Sequence, residues 1–185
     1  AYTGTYNMLS ATAISRWQWV GLQDAPVTNS ISAHSSIYQN KLGVGAILVN
    51  DRYGISNNNE AHATFAYKIN FSDQEDKVLS FGMQAGLVNY TFDNSRLTIR
   101  DENKDDPYFL PGRTNAMEPN FGAGVFYRSN NLFAGISAPK ILNSQFAEGS
   151  NAVAQYRRHY FLTAGYLIDF IDFQFKPSVM VRYVD

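Results

Sequence analysis

The chain has 185 residues, no cysteine and a formal net charge of −1, and 12 Tyr with 13 Phe help lift its aromatic content to 15%. Without cysteine there is no disulfide, thiol nucleophile or Cys-ligated metal, and a near-zero charge implies no field for a polyanion such as nucleic acid. No apolar run reaches the roughly eighteen residues of a transmembrane helix, and the length suits one domain over residues 1–185.

The first strand-like run, residues 8–20, sets Leu9, Ala11, Ala13, Trp17 and Trp19 against Ser10, Thr12, Arg16 and Gln18. Two Trp at one end of an apolar face read as an interfacial aromatic girdle. A connection through Gly21, Asp24 and Pro26 leads to the second run, 28–38, where Ile31, Ala33 and Ile37 oppose Ser30, Ser32, His34 and Ser36. After a tight turn at 39–41, the third run (42–49) faces Leu42, Val44, Ala46 and Leu48 away from Gly43 and Gly45. A longer connection is expected over 50–59, because Asp51, Gly54 and three consecutive Asn are turn formers.

The fourth run sets Ala61, Ala63, Phe65, Tyr67 and Ile69 against His62, Thr64 and Lys68. Past a short polar turn at 72–76, the fifth run (78–90) alternates Leu79, Phe81, Met83, Ala85 and Leu87 with Ser80, Gly82, Gln84 and Gly86. The longest connection, 93–116, carries an acidic stretch. The sixth run opposes Phe121, Ala123, Val125 and Tyr127 to Asn120, Gly122, Gly124 and Arg128, and a tight turn at 129–131 precedes a short seventh run, 132–138. A long connection over 139–157 is followed by the eighth run, with Tyr160, Leu162, Ala164, Tyr166 and Ile168 on one face. A turn at 169–172 leads to the ninth, where Phe173, Phe175, Val179, Val181 and Tyr183 oppose Gln174, Lys176, Ser178 and Arg182.

These about nine runs, each about eleven residues long, suit strands crossing a bilayer at a tilt. The expectation is an all-β, antiparallel, up-and-down outer-membrane β-barrel. Long connections follow odd runs and short ones follow even runs, which predicts a periplasmic start and extracellular long loops. Arg16, Lys68, Arg128, Lys176 and Arg182 share the polar, inward parity; a charge on the lipid face at mid-membrane would cost about 2–4 kcal/mol. Bacterial barrels close with an even strand number. Nine therefore suggests a longer chain whose C-terminal strands are absent; no signal-peptide pattern begins at Ala1, so the sequence reads as mature or trimmed, with a signal peptide expected upstream. An open edge in lipid would leave backbone groups unpaired.

Several stretches resemble the PorP/SprF family of the type IX secretion system of Bacteroidota. The opening Ala1-Tyr2-Thr3-Gly4 is similar to the end of that family's Asn-Pro-Ala-Tyr-Ala-Gly segment, with Thr3 in place of the usual Ala. Arg16-Trp17-Gln18-Trp19-Val20-Gly21, followed by Ala25-Pro26 and Thr28, resembles its most characteristic stretch. Gly43-Val44-Gly45 with Asn50-Asp51 and Gly54, Leu79-Ser80-Phe81-Gly82, Pro119-Asn120-Phe121-Gly122-Ala123-Gly124 and Gly135-Ile136-Ser137-Ala138-Pro139 match further blocks in order. The likeness spans nearly the whole chain but not the family's C-terminal portion. It implies a multi-pass outer-membrane protein that docks the C-terminal domain of a secreted surface adhesin, used in gliding or secretion, and links it to periplasmic secretion and motor components.

Candidate partner contacts are Arg16, Trp17 and Trp19 at the girdle, Asn50 and Asp51 at a strand end, and Asp106 and Pro107 in the longest connection. An inward charge and ordinary turn chemistry are the plainer readings of Arg16 and of Asn50-Asp51-Gly54. Asp101, Glu102, Asp105 and Asp106 lack the spacing of a calcium loop. His34, His62 and His159 lie on different runs without metal-ligand spacing or a triad pattern, so neither an enzyme nor a bound cofactor is expected. The inward glycines would bend the wall and admit a plug, a partner's polypeptide or only close-packed side chains. A passive small-solute channel, its lumen ringed by charge, is the alternative from another class. A soluble β-sandwich fits strands of this length poorly.

Overall fold

The alternation of apolar and polar residues becomes pleated strands because side chains two apart share a face. The computed structural model describes residues 2–5, 8–71, 77–96, 112–142, 144–148, 151–156 and 158–185, with 144–148 and 151–156 described as backbone only. The strands are β1 (Ser10–Trp17), β2 (Val27–Ile37), β3 (Leu42–Tyr53), β4 (Ser56–Asn70), β5 (Val78–Asp93), β6 (Arg113–Arg128), β7 (Leu132–Lys140), β8 (Ser144–Glu148), β9 (Asn151–Tyr156), β10 (His159–Tyr166), β11 (Ile168–Asp169), β12 (Gln174–Phe175) and β13 (Ser178–Val184). Nine of them form one antiparallel sheet in the order β1-β2-β3-β4-β5-β6-β7-β10-β13, while β8-β9 and β11-β12 are separate hairpins. Among the described residues no helix is long and apolar enough to cross a membrane.

The nine-stranded up-and-down sheet and the parity of its two faces match the sequence reading. Phe65, Tyr67, Phe81, Met83 and Leu87 are exposed on the outward face, while Ala66, Lys68, Ser80, Val88 and Asn120 are buried on the other. The sheet curls toward that second, concave face: Glu60 of β4 reaches Lys140 of β7 across the two strands between them, with Oε1 2.7 Å from Nζ. β1 and β13 form the edges of the sheet, which is barrel-like in its curl but not closed.

The expected boundaries shift in several places. β3 and β4 run on to Tyr53 and back from Ser56, so the expected long connection over 50–59 is a turn at Gly54 and Ile55. Asn50 and Asp51 therefore lie in a strand. The reason is cross-strand satisfaction: Asn50 pairs with Asn59, and its Nδ2 donates to Oδ1 of both Asn57 and Asn59 at 2.9 Å. Amides that mark a turn when alone serve a strand when they face one another. The rotation of long and short connections fails at this hairpin.

β1 stops at Trp17, and Trp19 sits beyond it with φ of 52°, so the two Trp do not share a strand face. β5 and β6 extend into the longest connection, and β8-β9 occupy part of 139–157. Pro139 lies within β7, which runs to Lys140. The ninth run divides into β12 and β13 around Pro177, which has no N–H to donate to a ladder. Lys176 thus falls outside the sheet, its Nζ 4.9 Å from the Phe133 ring centroid.

Candidate functional site

The concave face is occupied. Residues 2–5 cross it from β2 and β3 toward β6 and β10 as a strap that belongs to no strand. Gly4, at φ of +71°, donates its N–H to His34 Nδ1 at 3.2 Å. Thr3 Oγ1 donates to Thr64 Oγ1 at 3.0 Å, and the Tyr2 ring rests on Phe126 with centroids 4.2 Å apart. Lys68, only 8% exposed, donates from Nζ to the Gly4 carbonyl and to Ser36 Oγ, the latter at 3.0 Å. A buried ammonium needs such partners, because desolvation would otherwise neutralise it.

Gly43 makes the strap possible. A Cβ built there would lie 2.2 Å from the Thr3 carbonyl oxygen, so only glycine allows the backbone so close. Of the three occupants left open for the inward glycines, a plug comes nearest to what lies at Gly43, where the chain's own opening residues fill that place. Beyond the strap, a cavity of about 220 Å³ lies between Tyr2, Thr3 and a floor that includes Gly82, Gly122, Gly124 and Gly135.

Nearer the end with the long connections, Glu60 braces the wall. Its Oε2 lies 3.0 Å from His62 Nε2 while Oε1 meets Lys140. The His62 ring covers Gly86, where a Cβ would come within 2.3 Å of Nδ1. Asn120 is buried on the far side of Gly86, and its carboxamide has no hydrogen-bond partner among the described residues. No group of three or more His, Asp or Glu is placed for a metal among the described residues.

The rim at the long connections is tied together from distant parts of the chain. Arg96 pairs with Asp24 and donates to the Gly54 carbonyl at 3.4 Å, and Gly54 N–H donates to the Asp24 carbonyl at 3.0 Å. The hydrogen bond and charge of Asp24 raise the Arg96 pKa above its ordinary value.

The expected contact residues do not form one site. Arg16 faces the concave side, as Asp51 does, with Thr28 between them in register and its Oγ1 donating to Asp51 Oδ1 at 2.6 Å. Asn50, adjacent to Asp51, faces outward. Trp17 faces outward too, its Nε1 donating to Ser15 Oγ at 2.8 Å, and both Trp17 and Trp19 are exposed. Asp106 and Pro107 lie outside the described residues, as do Asp101, Glu102 and Asp105. The sequence reading missed the Glu60–Lys140 brace and the Asp24–Arg96 tie, whose partners stand 80 and 72 residues apart. The inward glycines were the one local signal that something approaches the wall.

A family model described as type IX secretion system membrane protein PorP/SprF matches residues 1–185. No curated protein and no solved structure matches the chain.

Proposed function

From the premise that this chain belongs to the PorP/SprF family and is a membrane component of the type IX secretion system, we propose that it spans the outer membrane as a docking platform for a cell-surface adhesin. The rim with the long connections faces outside and holds the C-terminal domain of the adhesin. The opposite rim, with the short turns, meets periplasmic components of the secretion motor. The role is mechanical, and no catalytic step is assigned.

The observation that carries this reading is the length of β5 and β6. Each runs 16 residues, about 53 Å of strand, which at a tilt of about 40° rises roughly 40 Å against an apolar band of about 25 Å. The apolar outward run on β5 ends at Leu87 and gives way to Asn89, Thr91 and Asp93, so the excess projects at the rim of long connections. A paired ribbon standing clear of the membrane is a stiff support for a partner. The passive-channel alternative is disfavoured by the strap, which lies where a hydrated lumen would run.

The test replaces residues 97–111 with a short Gly/Ser turn in the full-length protein and follows adhesin display by antibody on intact cells. Loss of display with the barrel still present in the outer membrane is expected. Normal display would overturn the docking role.

A further inference from the structure

On the outward face, Ser15, Asn29, Asn50, Asn59, Asn89 and Met117 are successive register partners from β1 to β6. The four carboxamides therefore form one row across adjoining strands. Ser15 Oγ donates to Asn29 Oδ1 at 2.7 Å and Asn50 Nδ2 donates to Asn59 Oδ1 at 2.9 Å, which links the row at one end and at its middle. Immediately below it, toward the membrane, the same strands carry Ile31, Leu48, Ala61 and Leu87. Amide row and apolar floor together line a groove of about 490 Å³, bounded by Met117. That volume falls within the roughly 300–1,000 Å³ typical of small-molecule sites.

We infer that this groove binds the saccharide head group of an outer-leaflet lipid, with acyl chains on Leu48, Leu87 and Met117 and sugar hydroxyls on the asparagine row. The floor is continuous with the lipid-facing band, so a lipid already lies against it. Asn89 Oδ1 is buried without a hydrogen-bond partner among the described residues. It is an acceptor, so it requires a donor from the ligand and would repel the oxygens of a phosphate. No Lys or Arg lines the groove to hold an anion. Hydroxyl groups supply both donors and acceptors without charge, as neutral carboxamides demand. Arg52, the nearest cation in register, sits two residues beyond Asn50 along β3 and lies outside the groove lining.

The inference rests on the proposed orientation, since saccharide lipids occupy the outer leaflet. Full-length protein in mild detergent is titrated with monoglucosyl-diacylglycerol and with phosphatidylethanolamine of the same acyl chains, and binding is read by native mass spectrometry. The glycolipid should bind at least about tenfold more tightly, and the pair Asn50→Leu with Asn59→Leu should lose about tenfold of glycolipid binding, as expected for two lost hydrogen bonds, while leaving phosphatidylethanolamine unchanged. The single change Asn89→Leu provides a second check: removing an unpartnered acceptor spares the fold yet should weaken glycolipid alone. Equal binding of the two lipids, or glycolipid binding unchanged in Asn89→Leu, would overturn the site. Labelling of Ser95→Cys by a membrane-impermeant maleimide on intact cells tests the orientation separately. Selective binding without that labelling would sink the orientation and keep the site.

Discussion

The two faces of this sheet are held by different kinds of neighbours. On the outward face, neighbours lie on the same or adjoining strands, most of them register partners: Leu48 beside Ala61 beside Leu87, with Asn50 beside Asn59 beside Asn89 one step above. On the concave face the decisive contacts skip strands. Lys68 holds Gly4, Thr64 holds Thr3, and Glu60 of β4 holds Lys140 of β7. The outward face is ladder geometry with its apolar side chains exposed. The concave face is a set of crossbraces that curl the ladder, and removing one should change the curl without disturbing the alternation.

The largest effect is expected where backbone meets backbone. Gly43→Val places a side chain into the Thr3 carbonyl, and neither partner is a flexible side-chain tip that can swing aside. Overpacking of this kind costs about 1–3 kcal/mol, and the upper end is expected. A lower midpoint of urea unfolding in detergent, together with new protease cleavage near Thr5, would show the strap expelled. An unchanged midpoint and a protected N-terminal segment would mean that the strap does not rest on Gly43.

Lys68→Met comes next. It removes donors to the Gly4 carbonyl and Ser36 while keeping an unbranched side chain of similar length. Hydrogen bonds from a charged group contribute about 1.5–3 kcal/mol, partly offset because no ammonium then needs burying. Unfolding should shift less than for Gly43→Val, but Thr3→Cys in this background should become reactive to maleimide. If Thr3→Cys stays shielded, the Gly4–His34 hydrogen bond and the Tyr2–Phe126 contact suffice to hold the strap.

The Glu60–Lys140 brace should be weaker again. Glu60→Gln and Lys140→Met, singly and together, form a double-mutant cycle whose coupling is expected near 1 kcal/mol for a partly buried contact pair. A coupling near zero would show that this strut does not help to hold the curl.

The same contrast explains what could be read in advance. Strand number, antiparallel order and the inward parity of Arg16, Lys68, Arg128 and Arg182 are written in period-two alternation, which is a local property. Strand ends are not. Asn50 and Asn57 to Asn59 carry turn chemistry in isolation, and only their facing one another across β3 and β4 makes them strand residues. Pro177 breaks β12 from β13 although the alternation of Phe173, Phe175, Val179 and Val181 passes straight through it. Gly43 was legible as a place of close approach, yet nothing near residues 2–5 in sequence names the wall they cross. Glu60 and Lys140 read as an ordinary acid and an ordinary base until the curl brings them together.

The smallest effect separates a brace from an ornament. Arg96 and Asp24 join two connections at the exposed rim, and Arg96 also reaches Gly54 in the turn between β3 and β4. Exposed pairs lose most of their Coulomb attraction to water and salt and must hold long side chains in place. Asp24→Asn should therefore leave the unfolding midpoint where it is, at low salt and at high. Its effect should appear in rim order, as faster hydrogen exchange at the Gly54 amide, which donates to the Asp24 carbonyl. A lowered midpoint that recovers in salt would instead place the rim among the elements that hold the sheet curled, and the division between ladder face and braced face would then have to include the loops.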